Sequence, residues 1–290
     1  MAKSPAHKFG QIIGNLLEEI MAPRLAEFCM QRGLYLDKKG VRGAARSGKK
    51  VTWTDKFGNA HDLDFVIEKG GTGQRRGRPL AFIETAWRRY TKHSRNKAQE
   101  IQSAILPIVE KYDKDCPFFG AVLAGEFTAA SLEQLRSLGF RVAYIPYEAV
   151  IASFASVGID ARFDESTPDA RFQQLSEEID NLSPVQRAKF KANLVEGSSE
   201  VLTGFIEALK EAVDRRVEKV IIIPLHGTEM TFASISAAIS FVNGYHDAAM
   251  GERHFRKFEI VVRYGNGDKI EAQFSTASAA TAFLNQVAAP

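Results

Sequence analysis

The sequence predicts an α/β protein in which helices flank a mixed sheet, followed by a C-terminal α+β region. Three observations support this fold class. The 290 residues are 45% hydrophobic and 25% charged, which excludes disordered, collagen-like and low-complexity chains. Short apolar runs of buried-strand length alternate with amphipathic segments of helical period. The length fits a core plus a smaller second region, which we place at residues 1–160 and 165–290, joined by the polar linker FDESTPD.

The first element is predicted to be an amphipathic helix from Phe9 to about Phe28, because its apolar residues recur at helical spacing. Gly33 follows and would end this helix. We interpret the basic stretch LDKKGVRGAARSGKK as a strand edge and a loop. The remaining core elements are, in order, a hairpin with arms 51–54 and 61–68, a basic loop 70–79, strand 80–86, helix 94–112, strand 118–124, helix 131–138, strand 141–146 and helix 148–156.

The C-terminal region is predicted to begin with helices and to end with a sheet and a last helix. Ser183-Pro184 is a typical helix start, and the segment GNGD at 265–268 is typical of a hairpin turn. We expect no internal repeat at any fixed period. The predicted elements are helices 171–182, 184–194 and 199–215, strand 217–225, helix 232–243, the hairpin around 265–268 and a helix from about residue 278.

The sequence lacks the patterns of membrane and secreted proteins. No apolar run reaches the roughly 18 residues that cross a bilayer, and no apolar segment follows the first charged residues as in a secretory signal. The two cysteines, Cys29 and Cys116, lie far apart and have no metal-ligand spacing. We therefore expect a reduced, cytoplasmic protein that does not contact membranes.

Positive charge is concentrated in the first third of the chain. Residues 1–97 hold 20 Lys and Arg against 9 Asp and Glu, whereas the rest of the chain is net negative. Between residues 69 and 97 the only acid is Glu84. This density favours binding of a polyanion such as nucleic acid, although a solvated charged face is the alternative. The candidate DNA-contacting residues are Arg75, Arg76, Arg78, Arg88, Arg89, Lys92 and Arg95.

Three acids lie next to segments that should be buried. Asp62 and Asp64 are two residues apart on the second hairpin arm, so we expect them to point to the same face. Glu84 follows a fully apolar run and marks the carboxyl end of its strand. A carboxylate in such a place must be paired or must coordinate a cation. A salt bridge to a nearby arginine is the simpler explanation for each acid taken alone.

Together these residue types fit the chemistry of phosphodiester hydrolysis. A divalent cation held by two or three carboxylates lowers the pKa of a water molecule and offsets charge on the phosphate. A lysine positions the water or stabilises the transition state, and flanking cations hold neighbouring phosphates. All of these groups occur between Asp62 and Lys97.

The order of these motifs resembles the PD-(D/E)xK nuclease superfamily, which has the restriction-endonuclease-like fold. The resemblance covers about residues 9–154 and consists of a G-x-x-x-E helix pattern from Gly14 to Glu18, the hairpin acid in HDLDFVIE, the strand acid in FIETA and the helix that follows. It implies that Asp64 and Glu84 bind Mg²⁺, with Mn²⁺ as an alternative. It also implies that Glu18 approaches the same site.

One position departs from the family pattern. The family's lysine should stand two residues after the second acid, but Ala86 occupies that place. Either the site is inactive or the lysine has moved to the following helix. Lys97 is our candidate, because it lies beside the apolar stripe of that helix. Lys92 is closer in sequence, and Glu100 could also reach the site.

The expected function is therefore a metal-dependent DNA endonuclease, either a type II restriction enzyme or another anti-phage nuclease. In this reading residues 165–290 serve recognition or dimerisation, and a homodimer would cut both strands of double-stranded DNA. A restriction enzyme would also imply a companion DNA methyltransferase. The alternatives are a non-catalytic DNA-binding module that retains the fold and a structural or protein-interaction role.

Overall fold

The computed structural model divides the chain into two compact units, Met1–Val213 and Asp214–Pro290. It describes residues 4–91, 94–112, 116–214, 216–224, 228–245, 257–265 and 269–288. The division differs from the boundary predicted at residues 160–165. Helices beyond that boundary bury Phe172, Leu175 and Leu202 in the same core as Phe9 of the first helix. A polar linker therefore does not mark a domain boundary when the helices after it fold back onto the core.

The first unit is an α/β structure with helices on both faces of a mixed sheet, which confirms the predicted class. Its sheet has the strand order β1-β4-β5-β6-β7, with antiparallel pairs on the β1 side and parallel pairs between β5, β6 and β7. The elements are α1 (Pro5–Arg32), β1 (Tyr35–Lys38), β2 (Val51–Thr54), β3 (Ala60–Leu63), β4 (Phe65–Lys69), β5 (Arg78–Arg88), α2 (Ser94–Lys111), β6 (Phe118–Gly125), α3 (Ala129–Ser137), β7 (Arg141–Pro146), α4 (Tyr147–Ala155), α5 (Asp169–Asp180), α6 (Pro184–Glu196) and α7 (Ser199–Val213).

Alternation along the central strands separates two apolar cores. Phe65 and Ile83 pack in the core that contains α1, whereas Phe82 and Ala86 pack in the core that contains the apolar face of α2. Successive residues of a strand point to opposite faces, so β5 supplies both cores. Helix α1 is longer than its apolar stripe predicted, because Ser4 caps its first turn and Gly33 ends it in the left-handed conformation at φ 62°.

The predicted second arm of the hairpin is two strands rather than one. Strand β3 pairs with β2 in a separate two-stranded sheet, whereas β4 joins the main sheet. The break between them falls at Asp64. Asp62 stays on the small sheet, where it accepts hydrogen bonds from Lys50 (2.5 Å) and Thr52 (2.8 Å). The expectation that Asp62 and Asp64 share one strand face is therefore wrong.

The second unit contains an internal duplication, contrary to the expectation of no repeat. The segment FASISAAISFVN at 232–243 matches FSTASAATAFLN at 274–285. Each copy belongs to a strand, strand, helix element, and the sheet order β11-β10-β8-β9 relates the two hairpins by a pseudo-twofold axis. The elements are β8 (Val217–Pro224), β9 (Met230–Phe232), α8 (Ile235–Gly244), β10 (Phe258–Tyr264), β11 (Lys269–Phe274) and α9 (Ala277–Ala288).

The two copies also use the same contacts. Phe232 packs on Phe241 and Phe274 on Phe283, each with ring centroids 5.1 Å apart. Ser234 and Thr276 cap α8 and α9 through hydrogen bonds of 3.2 Å. Two copies at an offset of a few tens of residues give a weak signal in one sequence, because the strands of the copies differ in most side chains. None of the helices described in either unit is both long enough and apolar enough to cross a membrane.

A buried ion network anchors the loop after β1 to the main sheet. Arg46 donates to both carboxylate oxygens of Glu68 at 2.6 Å, and both side chains are fully buried. Arg42 makes a bidentate pair with Asp37, which is also buried. The backbone N–H of Gly77 donates to Glu68 as well. Each charge is therefore matched, and removal of one member leaves another buried and unpaired.

We expect Glu68→Gln to lower the free energy of unfolding by about 3 kcal/mol, the usual cost of breaking a buried ion pair. Urea denaturation measures the change. Asp62→Asn is the control, because it breaks a largely exposed ion pair with Lys50 and should cost less than about 1 kcal/mol. Equal losses in the two variants would contradict the assignment of the network as a structural anchor.

Candidate functional site

The residues predicted as catalytic lie around one open cleft of about 900 Å³. The polar side of the first half of α1 forms one wall, and the end of β5 with the start of α2 forms the other. Glu18, Asp64 and Lys97 line the cleft. Glu84 immediately precedes Thr85 and Ala86 of the lining. The structure thus brings together all four residues that the sequence predicts as catalytic.

Asp64 is positioned by the strand break and by Thr85. The pairing of β4 with β5 sets Phe65 opposite Ile83, and one step further along this register places Asp64 opposite Glu84. The Thr85 backbone N–H and hydroxyl both donate to Asp64 Oδ2, at 2.7 and 2.8 Å. This pair of hydrogen bonds fixes the orientation of the carboxylate. Thr85 carries no sequence signal that distinguishes it from other strand threonines.

The carboxylate of Glu84 has one oxygen atom that is shielded from solvent. Its Oε1 atom is buried and has no hydrogen-bond partner among the residues that the structure describes. Burial raises the pKa of Glu84 well above its ordinary value, and the nearby Asp64 carboxylate raises it further. The charge of Lys97 and a hydrogen bond from the Asp64 backbone N–H oppose this rise in the pKa. A cation bound between the two acids would satisfy the orphaned oxygen.

Glu18 enters the site from α1 and is paired with a residue that the sequence analysis did not select. Lys39 donates to Glu18 Oε1 at 2.5 Å and to Asn15 at 2.9 Å. Burial raises the pKa of Glu18, and the hydrogen bond from Lys39 opposes that rise. Lys39 lies in a basic stretch of the sequence where no spacing marks one lysine above the next. Glu18 is therefore a supporting acid whose charge is already partly compensated.

Lys97 extends from α2 into the cleft. Its Nζ atom lies 3.1 Å from Glu100 Oε2, and its charge acts on Glu84. Ala86 packs against the apolar core beneath α2 and also borders the cleft, on the same face of β5 as Glu84. The start of α2 therefore brings Lys97 to the side of the cleft where Arg88 of β5 also lies. Lys92, the other candidate, lies outside the described residues.

The basic residues divide between the two ends of β5. Arg88 and Arg89 line the cleft, whereas Arg75, Arg76 and Arg78 lie at the far end of this 11-residue strand, about 33 Å away at about 3.3 Å per residue. There Arg75 donates to the Gly70 carbonyl, and Arg76 lies over the Trp53 ring at 5.3 Å. Arg95 is exposed on α2. The arginine-rich stretch therefore does not form one wall beside the acids, because an extended strand separates its two halves.

Further polar residues of the cleft were missed in the sequence. His7, Gln11 and Asn15 line it together with Glu18. Their spacing of four residues puts them on one side of α1, opposite its apolar stripe. A helical projection of the N-terminal segment could have found this set, because polar hydrogen-bonding residues recur there at every fourth position. Their side chains present hydrogen-bonding groups to whatever enters the cleft.

The site has the donors for a divalent cation but few of them. Within the described part of the chain, no group of three or more His, Cys, Asp and Glu side chains is arranged to hold a metal ion. The pair of Asp64 and Glu84 nevertheless suits Mg²⁺, which is bound by one or two carboxylates together with substrate phosphates. The orphaned Glu84 oxygen fits the same role. Oxygen donors alone favour a hard cation over zinc or copper.

Comparison with known proteins adds little. No protein-family model and no curated protein matches the chain. A solved structure titled "Crystal Structure of Protein of Unknown Function AF1548" covers 65% of this chain and 99% of its own, with 15% identity and a TM-score of 0.29. A similarity at this level carries no argument about this chain.

We expect Glu84→Gln to raise the free energy of unfolding of the metal-free protein by about 1–3 kcal/mol at neutral pH, the usual desolvation penalty, because the amide has no charge to bury beside Asp64. Because the pKa of Glu84 is raised in the folded state, the native protein binds more protons than the unfolded chain above pH about 4.5. Ionisation of Glu84 therefore costs stability as pH rises toward neutrality. Urea denaturation in EDTA should show a gain that is large at pH about 7.5 and vanishes near pH about 4. A loss of stability in the variant would contradict this account.

Proposed function

We propose that this protein is a metal-dependent endonuclease that hydrolyses DNA phosphodiester bonds, built on a restriction-endonuclease-like core. One observation carries the proposal. Asp64 and Glu84 stand opposite each other where β3 and β4 separate, and Lys97 reaches the same place from α2. Two acids beside a lysine in an open cleft are the groups that phosphodiester hydrolysis needs.

Asp64 and Glu84 would hold the cation, which we propose to be Mg²⁺, with Mn²⁺ as a substitute. When bound, such a cation lowers the pKa of a water molecule and neutralises charge on the phosphate. The protein contributes a fixed Asp64 carboxylate, because Thr85 binds one of its oxygens twice. It also contributes a buried Glu84 oxygen that has no partner among the described residues. Both features pre-organise the donors.

Lys97 supplies the positive charge that the family pattern places at position 86. It lies beside Glu84, so it can stabilise negative charge on a phosphate held at the two acids or orient the attacking water. Lys39 holds Glu18 at the edge of the same site. Because Lys39 compensates the Glu18 carboxylate, the cleft repels a phosphate group less strongly.

Double-stranded DNA is the substrate that the open cleft and its two arginines favour. Cutting both strands with one site per chain favours a homodimer with twofold symmetry. A type II restriction enzyme or another anti-phage nuclease fits this chemistry, and a restriction enzyme would act with a companion methyltransferase. A cytoplasmic location accords with such a role.

Plasmid cleavage in Mg²⁺ tests the proposal. Asp64→Asn and Glu84→Gln should each reduce the cleavage rate about a thousandfold, because loss of a cation ligand removes several kcal/mol of transition-state stabilisation. Asp62→Asn is the matched control, since Asp62 is bonded to Lys50 and Thr52 on the small sheet and should keep full activity. DNA retention that falls with salt, without cleavage in Mg²⁺ or Mn²⁺, would instead support the non-catalytic module that Ala86 favours.

The displaced lysine has its own test. We expect Lys97→Gln to slow cleavage about a hundredfold while DNA affinity falls only a few-fold, because the charge acts mainly in the transition state. Lys97→Arg should recover part of the rate, since the guanidinium restores the positive charge but with a different geometry. Single-turnover cleavage and a separate binding titration give the two quantities. Full activity in Lys97→Gln would remove this residue from the mechanism.

A further inference from the structure

The carboxylate of Glu100 occupies a position between two cations of the cleft. Its Oε2 atom accepts a hydrogen bond from Arg88 Nη2 at 3.2 Å and lies 3.1 Å from Lys97 Nζ. All three residues line the cleft. A single carboxylate oxygen shared by a guanidinium and an ammonium reproduces the contacts that a phosphate oxygen makes with such groups.

Arg88 at this position has an unused donor, and so has Arg89, which lies elsewhere in the lining of the cleft. Arg88 Nε and Arg89 Nη1 are buried and have no hydrogen-bond partner among the residues described. Burial lowers the pKa of Arg88, and Glu100 opposes the decrease, but an arginine remains charged. Arg89 is held over the rings of Tyr90 and Phe172, each at 4.6 Å. Buried donors without acceptors are costly, so a ligand with several acceptor oxygens would be stabilised here.

Glu100 itself can leave. Its side chain is 58% exposed, and exposed ion pairs contribute little to stability.

The opposite wall of the cleft is also open. Gly10 and Gly14 lie in the interior of α1, where a glycine costs about 1 kcal/mol relative to alanine. A Cβ atom at Gly14 would meet nothing within 4 Å, and one at Gly10 would meet only Trp87 Cδ1 at 3.7 Å. Packing within the protein therefore does not require these glycines, and they keep space along the cleft.

We propose that the position of the Glu100 carboxylate is a phosphate subsite of the cleft and that Glu100 is an internal stand-in which a phosphodiester of the substrate displaces. This inference rests on the proposed function for its ligand class and adds a second phosphate contact apart from the acids. The displacing phosphate would then pair with Lys97 and Arg88 together. Glu100 is thus a residue that sets affinity for DNA and does not take part in the cleavage step.

Binding of a fluorescent 20-base-pair duplex in EDTA tests the subsite without any cleavage. Glu100→Gln should bind the duplex about fivefold more tightly, because the competing charge is removed while the side chain keeps its shape. Glu133→Gln is the matched control. Glu133 is an exposed acid that forms the same i,i+3 pair with a cation, Arg136, on α3, and its removal should not change affinity.

A double variant and a titration with inorganic phosphate identify the cause of the higher duplex affinity. In the Arg88→Gln background, the gain from Glu100→Gln should shrink to less than twofold, because the phosphate has lost its main partner. A calorimetric titration with inorganic phosphate separates a site for free anions from one for nucleic acid. The proposal is overturned by an unchanged or weaker duplex affinity in Glu100→Gln, by an equal gain in Glu133→Gln, or by a gain for inorganic phosphate alone. The binding assay contains EDTA and requires no cleavage. Its result can therefore be interpreted even if the protein does not cleave plasmid DNA.

Discussion

The arrangement of the cleft depends on two acids being held opposite each other against their mutual repulsion. The antiparallel register of β4 and β5 places Asp64 beside Glu84, and like charges at such a distance disfavour ionisation of both. The fold accepts this cost because the strands around the acids are fixed by apolar residues on both faces. Phe65 and Ile83 bury their side chains immediately next to the two acids. The hydrophobic cores thus stabilise an electrostatically unfavourable pair.

Two glutamates of the first unit differ in how their buried carboxylate oxygens are paired. Glu68 meets Arg46 and the Gly77 N–H, and its charge is fully compensated. Glu84 is left with an oxygen that has no partner in the described structure. Both lie on neighbouring strands of one sheet. The contrast argues that the missing partner of Glu84 is a property of the site and does not reflect a general scarcity of cations, since arginines are abundant in this part of the chain.

Local pattern predicted much of the fold because the strands of the main sheet are apolar runs and the helices have clear stripes. The strand at Arg141–Pro146 has the predicted bounds, and α2 differs by one residue. Long-range contacts were not accessible in the same way. The break at Asp64, the packing of Phe172 against α1 and the Lys39–Glu18 pair depend on residues distant in sequence. The acids could be selected because a charge beside an apolar run is unusual, whereas their supporting residues look like any surface residue.

In the proposed nuclease site, the lysine comes from α2, and its charge is partly balanced by a neighbouring carboxylate. Position 86 of β5 holds a small apolar side chain, whereas Lys97 on α2 shares its helix with Glu100 one turn later. In the free protein, that carboxylate neutralises part of the positive charge of the cleft and limits attraction of stray anions. In the proposed subsite, a phosphodiester that replaces this carboxylate pairs with Lys97 and Arg88 in its place. The Glu100 carboxylate and the substrate phosphate therefore compete for the same two cations in the proposed site.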